Sequence, residues 1–300
     1  MAFEQTDLNY AKEYSQALAQ AYPYTLYFGA LWSATKPDVK FLNNNTVILP
    51  SLTVKGRANG DRNSIGSFSR NFNNEKATKT LSNHRTWNTL VHPRDIDETN
   101  HVASIQNITK VMNEEQKFPE MDAEMIGTLY SLKNEIETIT EGDALTLSNV
   151  LEQFDALMDK MDEERVPTAG RLLYVDTYTK TLIDTAKESA RFLSASDTTV
   201  ARTLSRIDEV EINGVPTSAM KSAYTFGDDG FEVADGAVDV KMLLIHPSAI
   251  IPVISYDFAQ LGAPSSLSQG KWTYFEESFE DVFIFNKKHN GIQFYIEATA

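Results

Sequence analysis

Histidines and clustered carboxylates are the side chains of this 300-residue chain that could supply chemistry, because it has no cysteine to act as nucleophile or metal ligand. No two of the five histidines have the i, i+4 spacing with which one helix face binds zinc. His84 and His92 would share one face of a strand, but at about 3.3 Å per residue they lie roughly 26 Å apart, too far for one metal ion. We therefore interpret the histidines as ordinary hydrogen-bonding groups and predict no metal site.

Two groups of carboxylates were considered as catalytic or calcium-binding sites. Asp228-Asp229-Gly230 lacks the alternating ligands and closing glutamate of a calcium loop, so it favours a turn. Asp162, Glu163 and Glu164 are typical of a solvated helix face. The chain also lacks the GxxxxGK[ST], GxGxxG and GxSxG patterns of nucleotide-binding proteins and hydrolases. We predict no enzyme and no cofactor, and a metal-dependent hydrolase that uses the acidic turns is the remote alternative.

The charge is strongly acidic but unevenly distributed. The net charge of −15 disfavours nucleic acid as a binding partner. Residues 51–94 carry eight basic and two acidic side chains, whereas residues 95–300 carry 16 basic and 36 acidic ones. A basic segment on an acidic body is suited to self-association, although a solvated surface loop without a partner would carry the same charges. No stretch approaches the roughly 18 apolar residues of a membrane span, so we predict no membrane association.

The elements that would position the basic segment read as strands. Residues 46–54 are rich in β-branched side chains, and residues 85–91 alternate in polarity, which predicts two strands of one long hairpin. The residues between them are rich in glycine and asparagine and too polar to form a core of their own. We expect a projecting, basic β-loop. Leu8, Ala11, Tyr14 and Leu18 have helical spacing and predict a short helix before it.

Beyond the loop, the pattern predicts three helices and then a mixed α/β region. The first helix covers residues 98–116 and ends at Phe118-Pro119, the second begins at Pro119, and the third covers residues 145–165. The apolar runs at 171–175 and 240–246 predict buried strands of a sheet with helices on its faces, and residues 176–188 predict one of those helices. Val282 and Ile284 would oppose Ile292 and Phe294 in a last hairpin around Asn290-Gly291.

Four runs occur in an order that resembles the major capsid proteins of tailed bacteriophages. They are DIDETN at 95–100, FPEMDA at 118–123, RVPTAGRLLYV at 165–175 and IHPSA at 245–249. The third looks like the VP-x-x-GR-x-LYV run of that family, and the fourth resembles its hydrophobic-H-x-x-A strand exit. The resemblance covers nearly the whole chain.

The resemblance implies the α+β fold of the Hong Kong 97 phage capsid, with five parts. They are an N-terminal arm (1–39), an E-loop (40–94), the first part of the P domain with the spine helix (95–141), an A domain (142–270) and returning P-domain strands (271–300). It implies subunit contacts through the E-loop and the arm. The predicted E-loop contacts are Lys55, Arg57, Arg62, Arg70, Lys76 and Lys79, and the predicted arm contacts are Tyr10, Tyr14, Tyr24, Tyr27 and Trp32.

The implied function is a shell of hexamers and pentamers that encloses phage DNA without sequence-specific contact. The expected partners are other copies of the chain, a portal protein and, because the arm begins essentially at Met1, a separate scaffolding protein; a decoration protein is left open. The expected location is the virion, after assembly in the bacterial host cytoplasm. An encapsulin-like nanocompartment with the same fold is the alternative.

Overall fold

The computed structural model describes most of the chain. The described residues are 24–34, 40–43, 46–57, 59, 70–98, 104–139, 141–194, 206–207, 210–228 and 230–298. The short helix predicted around Tyr14, as well as Tyr10 and Arg62, lies outside them. No helix among the described residues is long and apolar enough to cross a membrane.

Most α-helices of the described chain lie between a first group of four strands and a last group of eight. The helices are α1 (Gly29–Trp32), α2 (Pro93–Glu98), α3 (Ile105–Met112), α4 (Phe118–Ile136), α5 (Val150–Glu163) and α6 (Thr177–Ser194). The strands are β1 (Lys40–Asn43), β2 (Thr46–Val54), β3 (Phe72–Thr80), β4 (His84–Val91), β5 (Glu141–Gly142), β6 (Leu172–Asp176), β7 (Arg206–Ile207), β8 (Val210–Val215), β9 (Tyr224–Gly227), β10 (Gly230–Val233), β11 (Val240–Ile245), β12 (Ile250–Gly262), β13 (Trp272–Ile284) and β14 (Ile292–Glu297).

A six-stranded mixed sheet forms the centre, in the order β5-β14-β11-β6-β8-β7. Successive residues of a strand point to opposite faces, so Tyr174 packs in one core with α4, and Leu173 and Val175 pack in a second core with α5 and α6. Because both faces are covered, the strands read as continuous apolar runs. The predicted sheet with helices on its faces is confirmed, including the helix that follows β6.

A three-stranded sheet, β12-β13-β4, and the β1-β2-β3 sheet carry the remaining long strands. The predicted partner of β2 is wrong: β2 pairs antiparallel with β3, from Thr46 opposite Thr80 to Val54 opposite Phe72. The strand at 84–91 instead pairs with β13. The sequence pattern did not predict β3 because this strand has few apolar side chains. A strand of a hairpin that is exposed along most of its length does not need them.

The predicted last hairpin is also wrong. Residues Asn286–Gly291 form a 3-10 helix, and β14 leaves the β13 sheet to pair with β11 and β5 in the central sheet. Every residue from Ile292 to Ile296 is buried, which requires a sheet with two covered faces. The boundary predicted between the A domain (142–270) and the returning strands (271–300) stays a prediction. Strands β11 and β14, which pair with each other, lie on opposite sides of it.

The helix predicted to end at Phe118-Pro119 continues through it. Between α3 and α4, residues Asn113–Lys117 form a π-helical turn, and the flanking residues keep helical dihedral angles. Pro119 lies in the first turn of α4, where its missing N–H is tolerated because the wider turn has just changed the hydrogen-bond register. The longest helix of this run is therefore α4, beyond the predicted spine at 98–116.

Candidate intersubunit surfaces

The β2-β3 hairpin is attached to the body by one face of its base. Residues from β2, from the end of β3 and from β12 and β13 form a small separate core there: Val47, Leu49, Leu81, Ile251, Val253 and Phe283. Lys287 donates to the carbonyl of Leu52 at 2.8 Å, farther along the hairpin. From Leu52 outward the side chains on both faces are exposed. The base is thus fixed by packing, while the outer half is free of the subunit's own core.

The opposite face of the hairpin carries three large apolar side chains in water. Leu52, Val54 and Phe72 are 59%, 65% and 53% exposed. Leu52 and Val54 are two residues apart and Val54 pairs with Phe72, so all three point to the same side. We call these three residues the hairpin face. Such a contiguous exposed apolar group is typical of a protein–protein contact.

Basic side chains accompany the hairpin face on the same hairpin. Lys55, Arg57, Arg70 and Lys76 are exposed, whereas Lys79 is half-buried and pairs with Val47, on the face that packs on the body. The Arg70 guanidinium lies 4.8 Å from the centre of the Phe72 ring, and its Nε donates to the Phe72 carbonyl at 3.1 Å. Among the described hairpin residues, Glu75 is the single acidic one. The structure therefore brings five of the six predicted E-loop residues onto one hairpin, and the sixth, Arg62, is not described.

The described end of the predicted arm is anchored in its own subunit. The Asp122 carboxylate of α4, fully buried, accepts hydrogen bonds from the backbone N–H groups of Tyr27 at 2.8 Å and Phe28 at 3.0 Å. Desolvation raises the pKa of Asp122 to about 6. Tyr24 and Tyr27 are half-buried and pack edge to face, with ring centres 5.2 Å apart.

Trp32 does not fit the prediction that it contacts a neighbouring subunit. It is only 6% exposed and belongs to the core that α4 forms with the central sheet. Little of its surface is left for a partner. Of the predicted arm contacts, Tyr24 and Tyr27 keep accessible surface, and Tyr10 and Tyr14 lie outside the described residues.

Helix α3 presents a second apolar surface. Its residues Ile105, Ile108, Val111 and Met112 have the spacing of one helix face, yet none of the helix is buried. Glu114 and Glu115 follow in the π-helical turn, and Glu115 is exposed. An amphipathic helix normally buries its apolar side, so this stripe is a candidate for burial by another chain.

The run at 165–175 has a structural task that sequence reasoning had not assigned. The Arg171 side chain is fully buried and donates to the carbonyls of Val166 at 2.7 Å and Pro167 at 3.0 Å, as well as to Asp162 at 2.5 Å. Gly170 before it has a φ of +87°, which side chains rarely adopt. This glycine turns the chain so that the arginine closes the loop between α5 and β6.

The run at 245–249 meets the run at 165–175 in space. Leu172 pairs with Ile245 at the ends of β6 and β11, and the His246 N–H donates to the Gly291 carbonyl at 2.8 Å. The His246 Nδ1 accepts from the Ser248 N–H at 3.2 Å, and desolvation lowers the pKa of His246. Both runs therefore serve the architecture around the central sheet.

The residues first considered for chemistry are dispersed. His84 stacks on Phe279, with ring centres 4.3 Å apart, and bonds Glu277 at 2.8 Å. Gly227 pairs with Gly230 across the β9-β10 connection, which fits the predicted turn. Within the described part of the chain, no three histidine or carboxylate side chains are placed to hold a metal ion.

Comparison with known proteins gives matches to solved structures. No protein-family model matches the chain, and no curated protein matches it. A chain of the capsid structure of the cyanophage P-SCSP1u is 10% identical with a TM-score of 0.69, and the match covers 97% of this chain and 93% of that one. A chain of the mature capsid of bacteriophage PhiM1 gives 11% and 0.67, with the same coverage. The capsid of the Myoviridae phage XM1 gives 9% and 0.61, covering 96% and 97%.

These likenesses extend over nearly the full length of both partners, so they concern the whole architecture. At identities near 10% they show the fold. The chain has the α+β phage capsid fold that the quoted runs predicted.

Proposed function

We propose that this chain is the major capsid protein of a tailed bacteriophage, which assembles into the hexamers and pentamers of an icosahedral head around phage DNA. The observation that carries the proposal is the match over nearly the full length to chains of phage capsids. A hairpin that exposes apolar and basic side chains away from its own core supports it. The three capsid structures lend no support to the encapsulin-like or hydrolase alternatives.

The hairpin face is the surface through which one copy holds the next. Its three apolar side chains and their basic neighbours complement the α3 stripe, which is half-exposed and followed by Glu114 and Glu115. Burying each large apolar side chain contributes about 1.5–3 kcal/mol. Opposite charges guide the approach and fix the register more than they add affinity. We propose that Lys55, Arg57, Arg62, Arg70, Lys76 and Lys79 act in this way, and that Tyr10, Tyr14, Tyr24 and Tyr27 add contacts of the arm.

The remaining partners follow from the same role. The chain would act as a structural component and not as an enzyme, located in the virion after assembly in the host cytoplasm. A portal protein and a separate scaffolding protein would join the assembly, and binding of a decoration protein to the finished shell is left open. DNA would be enclosed without sequence-specific contact, since the net charge of −15 repels phosphate.

Substitution of the hairpin face tests the proposal. The variant Leu52→Ser with Phe72→Ser removes two exposed apolar side chains, so the subunit is expected to keep its helical content and melting temperature but to form far fewer particles. Circular dichroism measures the first property, and light scattering with electron microscopy measures the second. The control Asn73→Ser changes an exposed residue on the other face and is expected to assemble normally. Normal particles from the double variant would contradict the role of this surface.

A further inference from the structure

Four carboxylates lie at the contact between α4 and β13. Glu120 and Glu124 come from α4, and Glu280 and Asp281 come from β13. Glu124, Glu280 and Asp281 are each less than a tenth exposed. Helix α4 packs against β13, so the carboxylates of the two elements share this contact. A contact between a helix and a strand thus contains a concentration of acidic groups where apolar side chains would be expected.

The innermost groups of this cluster are held by hydroxyls and not by cations. Glu124 accepts from the Thr128 Oγ1 at 2.7 Å, and Glu280 accepts from the Ser278 Oγ at 2.9 Å. The basic side chains bind at the edges: Arg85 of β4 pairs with Glu120, and Lys117 of the π-helical turn lies 3.3 Å from Glu276. Among the described residues, no ion pair reaches Glu124 or Glu280 within 4 Å.

The fourth carboxylate fastens the root of the hairpin. Asp281 accepts from the backbone N–H of Ser82 at 3.0 Å and of Asn83 at 3.1 Å, and from the Ser82 hydroxyl at 3.2 Å. The Asn83 side chain in turn donates to the Glu280 carbonyl at 3.0 Å. Ser82 and Asn83 lie between β3 of the hairpin and β4 of the three-stranded sheet. One member of the acidic cluster therefore binds the residues at the root of the hairpin.

We propose that these four carboxylates form a pH-sensitive lock that fixes the hairpin root to α4 when Glu124 is protonated and loosens it when Glu124 is ionised. Protonated Glu124 adds no charge beside Asp281 and packs as a neutral group. Ionised Glu124 places a second buried negative charge next to Asp281, which repels it and weakens the α4-β13 contact. The link to assembly rests on the proposed function, because only there does the position of the hairpin govern contact with the next copy.

The carboxylates that act on Glu124 all change its pKa in the same direction. Desolvation, with smaller contributions from Asp281, Glu120 and Glu280, raises the pKa of Glu124 from its usual 4.5 to about 7, while the hydrogen bond from Thr128 opposes the shift. Desolvation also raises the pKa of Glu280, where Glu120 and Asp257 of β12 add to the shift and Lys117 opposes it. Burial raises the pKa of Asp281 against its hydrogen bonds to Ser82 and Asn83.

These shifts set the sign of the effect. A carboxyl whose pKa is higher in the folded than in the unfolded state binds more protons when folded, so its contribution to stability is present at low pH and lost as the pH rises. For Glu124 the loss falls between about pH 4.5 and pH 7. The lock is therefore closed in mild acid and open above neutrality.

Hydrogen exchange of the unassembled full-length subunit tests the lock. Peptides that cover residues 81–91 and α4 are expected to lose protection on the order of tenfold between pH 5.5 and pH 8, after correction for the intrinsic pH dependence of exchange. In Glu124→Gln, whose amide stays neutral, this change is expected to disappear. The control Glu152→Gln on the exposed side of α5 is expected to behave as wild type. Glu124→Met, which is also neutral at every pH, offers the same test if Glu124→Gln fails to fold.

Two results would overturn the lock: protection of these peptides that does not change with pH in the wild type, or the same change in a folded variant that lacks the Glu124 carboxyl. Since the measurement uses subunits before assembly, it is independent of whether the chain forms shells. Failure of the lock and failure of the proposed function are therefore distinguishable.

Discussion

At the scale of single residues, one buried carboxylate fastens the N-terminal segment to the body. Asp122 supplies the acceptor for two backbone N–H groups, at Tyr27 and Phe28, and is itself fully buried. We expect Asp122→Ala to lower the free energy of unfolding by about 1–3 kcal/mol for each N–H left without an acceptor. Urea unfolding measures the loss, and Asp159→Ala on the exposed side of α5 is the control. A variant as stable as the control would show that the anchor is dispensable.

The sequence predicts the roles that residue types have in common structural settings, but it does not predict roles that depend on an unusual setting. Asp122 lies near the start of a predicted helix, where acidic residues are common. The neighbouring residues give no sign that it accepts hydrogen bonds from a segment about 95 positions away. Arg171 was quoted as part of a run, but its burial depends on the carbonyls of the preceding loop. Asp122 is positioned by a distant segment and Arg171 by the conformation of the loop before it, and neither is contained in a local pattern of residue types.

At the scale of elements, the hairpin combines an apolar face with positive charge. We expect Arg57, Arg62 and Arg70 changed together to glutamate to slow assembly at low salt while the helical content stays intact. Each exposed pair contributes only ~0.2–1 kcal/mol, but the contact repeats in every subunit of a shell. Light scattering over time measures the rate. The defect should shrink as salt screens the charges.

A matched control separates location from net charge. Changing Lys160, Arg165 and Lys180, which are exposed on and near α5 and α6, to glutamate alters the net charge equally but leaves the hairpin unchanged. We expect this control to assemble faster than the hairpin variant. Equal rates for the two variants would mean that overall charge, and not the hairpin, controls association.

Element type was easier to predict than element partner. The α5 and α6 patterns and the apolar strands β6 and β11 were correct because each follows from a local periodicity. The partners of β2 and β14 were not, because pairing depends on which sheet face offers a matching surface. The helix end predicted at Pro119 was also wrong. Proline normally ends a helix, but the π-helical turn before Pro119 lets the helix continue.

At the scale of the whole molecule, the central sheet has a core on each of its faces, and the hairpin extends from this body. The α+β capsid fold could be predicted from four short runs in the right order, and two of them, at 165–175 and 245–249, meet where β6 pairs with β11. The intersubunit surfaces could be predicted only as a basic segment. Which apolar side chains accompany the charges depends on the β2-β3 register, which places Val54 opposite Phe72.

Electron microscopy of the full-length chain tests the central claim most directly. The chain is produced alone and together with a scaffolding protein, and is imaged over a range of protein and salt concentrations. We predict closed, regular shells of hexamers and pentamers, with light scattering that shows large particles of narrow size distribution. A monomer that stays monomeric under all of these conditions would contradict the proposal that this chain builds a capsid.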